Sequence, residues 1–270
     1  MFEQHFKLKI SPQGLAPSAA RRYEAAVRSD LYRIHGSASG KILLRAISYW
    51  SITIPIIPES EDQVCNAEVE KEPEPGTNIL KPTVRYTPGR YGAQGSCGRA
   101  TGSLGVDLRG LGEKTLFHEL VHAFRTVSKS VHQRYRFFRT HGGLYGYSNS
   151  EELIAIVATN IFASERGYAL RFDHRTADPP PRELNGSFEF FATSAQAFLA
   201  IEKFCKENAW FTKALSGVSA AYNPLAAYYK DPKRALAYSR KTSALERDTH
   251  GYEEEVFKKL QEERNRPKPP

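Results

Sequence analysis

Phe6, Leu8 and Ile10 are separated by polar residues, an alternation that predicts a short strand ended by Pro12. Over residues 18–35 the spacing changes. Tyr23, Val27, Leu31 and Ile34 recur at helical intervals, and Gly36 closes this amphipathic helix. Residues 41–50 read as a second helix and the β-branched 51–57 as a strand. Residues 58–78 are acidic and proline-rich, which predicts a surface loop. A short strand is expected over 83–86. Within the glycine-rich 88–112, residues 103–109 read as an edge strand. A strong helix follows from 113 to about 127, then a loop with aromatic and basic residues. A further helix spans 150–165, with Gly167 as its stop. Ser148 and Glu151, like Asn149 and Glu152, have capping-box spacing. Residues 175–185 read as a loop, 193–208 as a helix, 209–240 as shorter helices, and 264 onward as a frayed end.

Strands first and helices afterwards argue for an α+β fold, with a small mixed sheet and a mostly helical C-terminal part. The expected unit is a single domain over residues 1–262. Its αβ part runs to about residue 130 and its helical part from about 148. Residues 263–270 are expected to form a disordered tail.

Composition narrows the picture. A chain of 270 residues with 40% hydrophobic and 25% charged residues can bury a sizeable core. The net charge is +8, yet the basic runs at 134–139 and 230–241 are interrupted by acidic stretches at 59–74 and 253–255. No nucleic-acid-binding motif accompanies them, so no specific nucleic acid is expected as a partner. A basic nucleic-acid-binding protein is the alternative outside enzymology. Cys65, Cys97 and Cys205 form no CxxC pair, so a cysteine-rich metal site is excluded. Three free thiols are expected; pairing of Cys65 with Cys97 in an oxidising compartment is the other option. The N-terminus lacks the apolar core of a signal peptide, and no run is long enough to span a membrane. The expected location is the producing cell's cytoplasm, or outside it by a specialised secretion system.

Residues 116–124, LFHELVHAF, contain HExxH. Four residues along a helix put His118 and His122 about 40° apart and about 6 Å along the axis, so both imidazoles can reach one metal ion. Glu119 points beside that ion, where it can take a proton from zinc-bound water. Neutral imidazoles leave Zn²⁺ positive enough to acidify the water, and Glu119 can later pass the proton to a leaving amine. Leu116, Phe117, Leu120, Val121, Ala123 and Phe124 make the helix largely apolar, so these polar side chains need partners.

The third ligand is open. An HExxHxxGxxH site would need glycine at 125 and histidine at 128, where Arg125 and Ser128 stand. Glu151 and Glu152 begin an apolar helix 29 and 30 residues after His122. Glu151 shares its face with Ala155, Ala158, Thr159 and Phe162, small residues that would allow close helix approach, and is favoured. Glu152 shares its face with Ala155, Ile156, Thr159 and Ala163. His132 and His141 are alternatives.

HELVHA followed about thirty residues later by EEL resembles the glutamate zincins and is distantly similar to clostridial neurotoxin light chains. It resembles more closely the effector-type bacterial zinc metallopeptidases, in the FHELVHA helix, the EELIAIVATNIFASERG helix and the Asn223-Pro224 turn. Ala155 stands where the neurotoxin pattern has a threonine. The match is best over 105–170. The resemblance implies a zincin-like fold and a zinc-dependent endopeptidase acting on a protein substrate, as a secreted bacterial effector or toxin. It also implies an oxyanion donor from the C-terminal half, so Tyr222, Tyr228 and Tyr229 lead over Tyr145, Tyr147, Arg125, Arg139 and Arg234. Residues 103–109 would pair with an extended substrate. An inactive zincin that binds a partner protein is the rival reading.

Overall fold

The computed structural model describes residues 5–59, 67–73, 80–103, 107–128, 150–171, 187–192 and 195–247. Four strands form one mixed sheet in the order β1 (Leu8–Ile10), β2 (Ile54–Ile57), β4 (Leu80–Arg85), β3 (Glu68–Pro73). The first three are parallel. β3 runs antiparallel to β4 at the edge, with Val69 opposite Val84 and Glu68 opposite Arg85.

Helices α1 (Pro17–His35) and α2 (Ala38–Ser48) connect β1 to β2. A parallel pair needs such a crossover, because a tight turn can join only antiparallel strands. Ser37 starts α2 by accepting a hydrogen bond from the Gly40 amide. A short α3 (Ser96–Gly102) precedes α4 (Leu111–Val127), the central element. Leu116, Phe117, Leu120, Val121 and Ala123 of α4 are fully buried. Each large apolar side chain among them contributes about 1.5–3 kcal/mol, which offsets the cost of the polar groups they enclose. α4 lies between the sheet, α1 and α2 on one side and α5 (Ser150–Glu165) on the other. Phe117 stacks on Phe162 at 4.6 Å between ring centroids, so the two helices meet closely. The Glu165 carboxylate at the end of α5 accepts bonds from the Ala38 and Ser39 amides at 2.6 and 3.0 Å, fastening α5 to the start of α2. The helices α6 (Ala195–Glu207), α7 (Ala209–Ser216), α8 (Pro224–Lys230) and α9 (Pro232–Arg247) complete the C-terminal half. Asn223 caps α8 through the Ala226 amide.

The α+β class and the mixed sheet agree with expectation. Three local readings are corrected. Residues 68–73 are a strand rather than loop. The glycine-rich segment holds a helix over 96–102, and Ser103 and residues 107–109 lie outside any strand; residues 104–106 of the expected edge strand lie outside the described set. Cys97 is disulfide-bonded and Cys205 is free, so the chain does not carry three free thiols; Cys65 lies outside the described residues. The capping residues Ser148 and Asn149, the loop 175–185, and the tail also lie outside them. Among the described residues no helix is long and apolar enough to cross a membrane.

Candidate metal centre

α4 supplies two of the three groups. One helical turn separates His118 from His122, and their rings meet edge to face with Nε2 atoms 3.1 Å apart. α5 supplies the third. Glu152 places Oε2 3.3 Å from His118 Nε2 and Oε1 3.4 Å from His122 Nε2. Around a tetrahedral zinc with ligand bonds near 2.0–2.2 Å, neighbouring donor atoms stand about 3.3–3.5 Å apart. The two nitrogens are close to that spacing, and each is close to it from a different oxygen of Glu152. Two imidazole nitrogens and a carboxylate also suit zinc chemically. The cluster is recessed: His118 and His122 are buried, and Glu152 is half-buried.

Behind it, Thr159 lies on α5 two turns after Glu152. Its hydroxyl donates to the Ala155 carbonyl at 2.7 Å and sits 3.5 Å from His118 Nδ1. A polar group on Nδ1 orients the ring so that Nε2 faces the centre. The threonine support missing at 155 is thus available from 159.

The structure packs the two adjacent glutamates differently. Glu151, the favoured ligand from sequence, does not join the histidines. Its carboxylate is held by Arg125 of α4, Nε to Oε2 at 2.5 Å and Nη2 to Oε1 at 2.7 Å. Both partners are buried, and the guanidinium lies over the Phe204 ring at 5.0 Å. Glu152 is the carboxylate at the centre. Successive helix residues point about 100° apart, so both cannot face α4 at the same place.

The electrostatics follow from this packing. Burial holds the His118 imidazole down to about 3, against the pull of Glu152, so the ring is neutral and its lone pair is available. For His122, burial works downward but the contact and charges of Glu152 and Glu119 prevail, and the net direction is up. Burial opposes ionisation of Glu152, yet hydrogen bonds from both histidines hold it well below the usual carboxylate range. Burial lifts Glu119 to about 8, with His122 and Arg171 opposing. A carboxyl poised there can both take and return a proton near neutral pH.

Sequence reading missed two groups within electrostatic range of Glu119. Tyr91, after β4, has its phenol raised first by burial and next by the Glu119 charge. Arg171 acts electrostatically on His118, Glu119 and Tyr91. Asn160 of α5 clamps the Arg171 backbone, accepting from its amide at 2.8 Å and donating to its carbonyl at 2.7 Å. Neither group lies near HExxH in sequence, and no local pattern marks them. β3 brings Glu68 and Lys71 within electrostatic reach of Glu119 and His122.

The tyrosines expected as donors make their contacts in the helical half. Tyr222 packs on Phe190 and its amide donates to Ser164. Tyr228 packs on Phe198, and the Tyr229 hydroxyl is 2.8 Å from Thr212 Oγ1. Arg234 stacks on Phe188. His132, His141, Arg139, Tyr145 and Tyr147 lie outside the described residues. Comparison with protein-family models, curated proteins and solved structures finds no match to the chain.

Proposed function

We propose that the protein is a zinc-dependent endopeptidase with a zincin-like fold, in which His118, His122 and Glu152 hold the metal. The observation that carries this reading is the triad's geometry: the two imidazole nitrogens lie 3.1 Å apart and each is 3.3–3.4 Å from one carboxylate oxygen of Glu152, on two helices fastened to each other. Zinc bound there would supply Lewis acidity for a water and a substrate carbonyl. The chain's own residues do the rest. Glu119 accepts the proton at its carboxylate and delivers it to the leaving amine. Arg171 and Tyr91, both within electrostatic range of Glu119, are the proposed donors to developing negative charge. β3, the outermost strand among the described residues, would pair with an extended polypeptide, the role first expected of 103–109.

A secreted effector or toxin is the setting proposed from the resemblance. The disulfide at Cys97 supports the secreted alternative over the cytoplasmic one, because such bonds persist in oxidising compartments.

The test is metal analysis of native protein together with a screen for new peptide termini in a proteome exposed to it. About one zinc per chain is expected, with termini that vanish for Glu119→Gln while its zinc remains. Loss of a general base lowers turnover by about 10²–10⁴-fold. Native protein without metal, or an equally active Glu119→Gln, refutes the proposal.

A further inference from the structure

The two faces of β3 differ in charge. Glu68, Glu70 and Glu72 share one face, because side chains alternate along a strand. β4 sets Arg85, Thr83 and Lys81 opposite them, and Arg85 also reaches Glu70 at 2.6 Å. The acidic face is therefore answered within the sheet. Val69 and Lys71 share the other face. Val69 stands opposite the fully buried Val84 and packs against the core, so this face is turned towards the helices. Both β3 and β4 contact α4 there.

Lys71 is half-buried on that face, and the residue opposite it is Pro82, which brings no charge and no amide proton. Among the described residues no carboxylate forms an ion pair with its ammonium. Its charge reaches His122, as that of Arg171 reaches His118, so each histidine of the triad has a basic side chain in electrostatic range. Glu68 is in range of Glu119, but Arg85 stands opposite it. Lys71 is thus the charge of β3 that the sheet leaves unmatched, on the face that meets the HExxH helix. A lysine on an outermost strand also deters pairing with a basic strand. An acidic strand meets attraction instead.

We infer that Lys71 selects an aspartate or glutamate of the polypeptide that pairs with β3, close to the bond that is cut. The inference rests on the peptidase reading for the cut, and on β3 as the strand that receives the substrate. A substrate residue paired with Lys71 projects its side chain to the same face, with the two Cβ atoms about 4.5–5.5 Å apart. A carboxylate there comes within reach of the ammonium. Charges act over about 8–10 Å in physiological salt. Extended peptide covers that in about three residues. The acidic residue therefore belongs within about three residues of the cut.

Cleavage of a random peptide library by the full chain is the first test. Aspartate and glutamate should be enriched within about three residues of the cut. A peptide with glutamate at the enriched position should be cleaved about fivefold faster than its glutamine counterpart, the scale of a partly exposed ion pair. Lys71→Met should remove that preference, and Lys71→Glu should turn it towards lysine and arginine. Lys233→Met removes an equal charge from an exposed position on α9 and should leave the preference unchanged. Zinc content and circular dichroism verify that each variant is folded. Cleavage without acidic enrichment, an undiminished preference in Lys71→Met, or an equal loss in Lys233→Met overturns the inference and leaves the peptidase standing. The second test is fluorescence anisotropy with a labelled alanine–glutamate repeat peptide and its alanine–glutamine counterpart. Tighter binding of the acidic probe that is lost in Lys71→Met and kept in Lys233→Met, with no peptide cleaved, removes the peptidase reading and leaves an acidic-peptide site at β3. Equal binding of the two probes, with no peptide cleaved, overturns both.

Discussion

Two charged clusters sit side by side on the same pair of helices, and they solve burial differently. Arg125 and Glu151 form a closed pair, with two parallel hydrogen bonds and opposite charges. One residue along α5, Glu152 meets two histidines. There, two imidazoles and one carboxylate converge, each ring nitrogen engaging a different oxygen of Glu152. The first cluster balances its charges within the protein. The second gathers groups that could also hold a metal ion. Adjacent glutamates thus divide the work, one fixing α5 against α4 and the other facing the centre that this fixing defines.

The largest effect is expected from breaking the closed pair. Arg125→Met alone should destabilise the fold by about 3–5 kcal/mol, because it strands a buried carboxylate. Arg125→Met with Glu151→Leu should recover most of that loss in urea unfolding, while zinc binding weakens through a looser α5. A double variant no more stable than the single one would mean that the pair is not self-contained.

Metal-free protein should then show what the open cluster costs. Burial keeps the Glu119 proton on up to about pH 8, whereas the unfolded chain releases it near 4.5. The folded state therefore holds more protons in this window, and stability falls as pH rises through it. Glu119→Gln lacks that slope. Its stability advantage over the parent, absent below pH 4.5, should grow to a few kcal/mol by pH 8. Parallel stability–pH curves for the two metal-free proteins would show that Glu119 is not desolvated.

Glu152→Gln should lower zinc affinity by about 100-fold or more, and Glu151→Gln should lower it far less, read by competition with a chelator. The reverse order would exchange the roles of the two glutamates. The smallest effect belongs to Thr159→Val, which should cost about tenfold in zinc affinity through a freer His118 ring. No change would assign the ring's orientation to packing alone.

How much of this was legible in sequence depended on how local each signal is. The helix over 150–165 was readable to the residue, and α1 and α4 nearly so, because apolar residues recur at full helical period along them. The histidine pair on α4 is likewise local, four residues apart along the helix. β3 escaped because EVEKEP has a single large apolar residue, Val69. An edge strand exposed on one side needs little more, so composition resembles that of a loop. Favouring Glu151 overlooked a contact of a different kind. Small residues on its face do allow close approach, but the partner that approaches is Arg125, and that pairing is visible only in three dimensions. Tyr91 and Arg171 reach Glu119 through the fold's closure, which no spacing encodes.

Among the described residues β3 is the outermost strand of the sheet, and that bears on how copies of this chain would meet. Its glutamates are answered from β4, where Arg85 pairs with Glu70 and stands opposite Glu68, and Lys81 stands opposite Glu72. An edge strand can recruit any strand that fits, including the same strand of another molecule. Charges spaced along such an edge must give up water before a second strand can pair, which resists self-assembly into sheets. Replacing Glu68, Lys71 and Glu72 with threonine removes that cost and should raise aggregation as protein concentration rises.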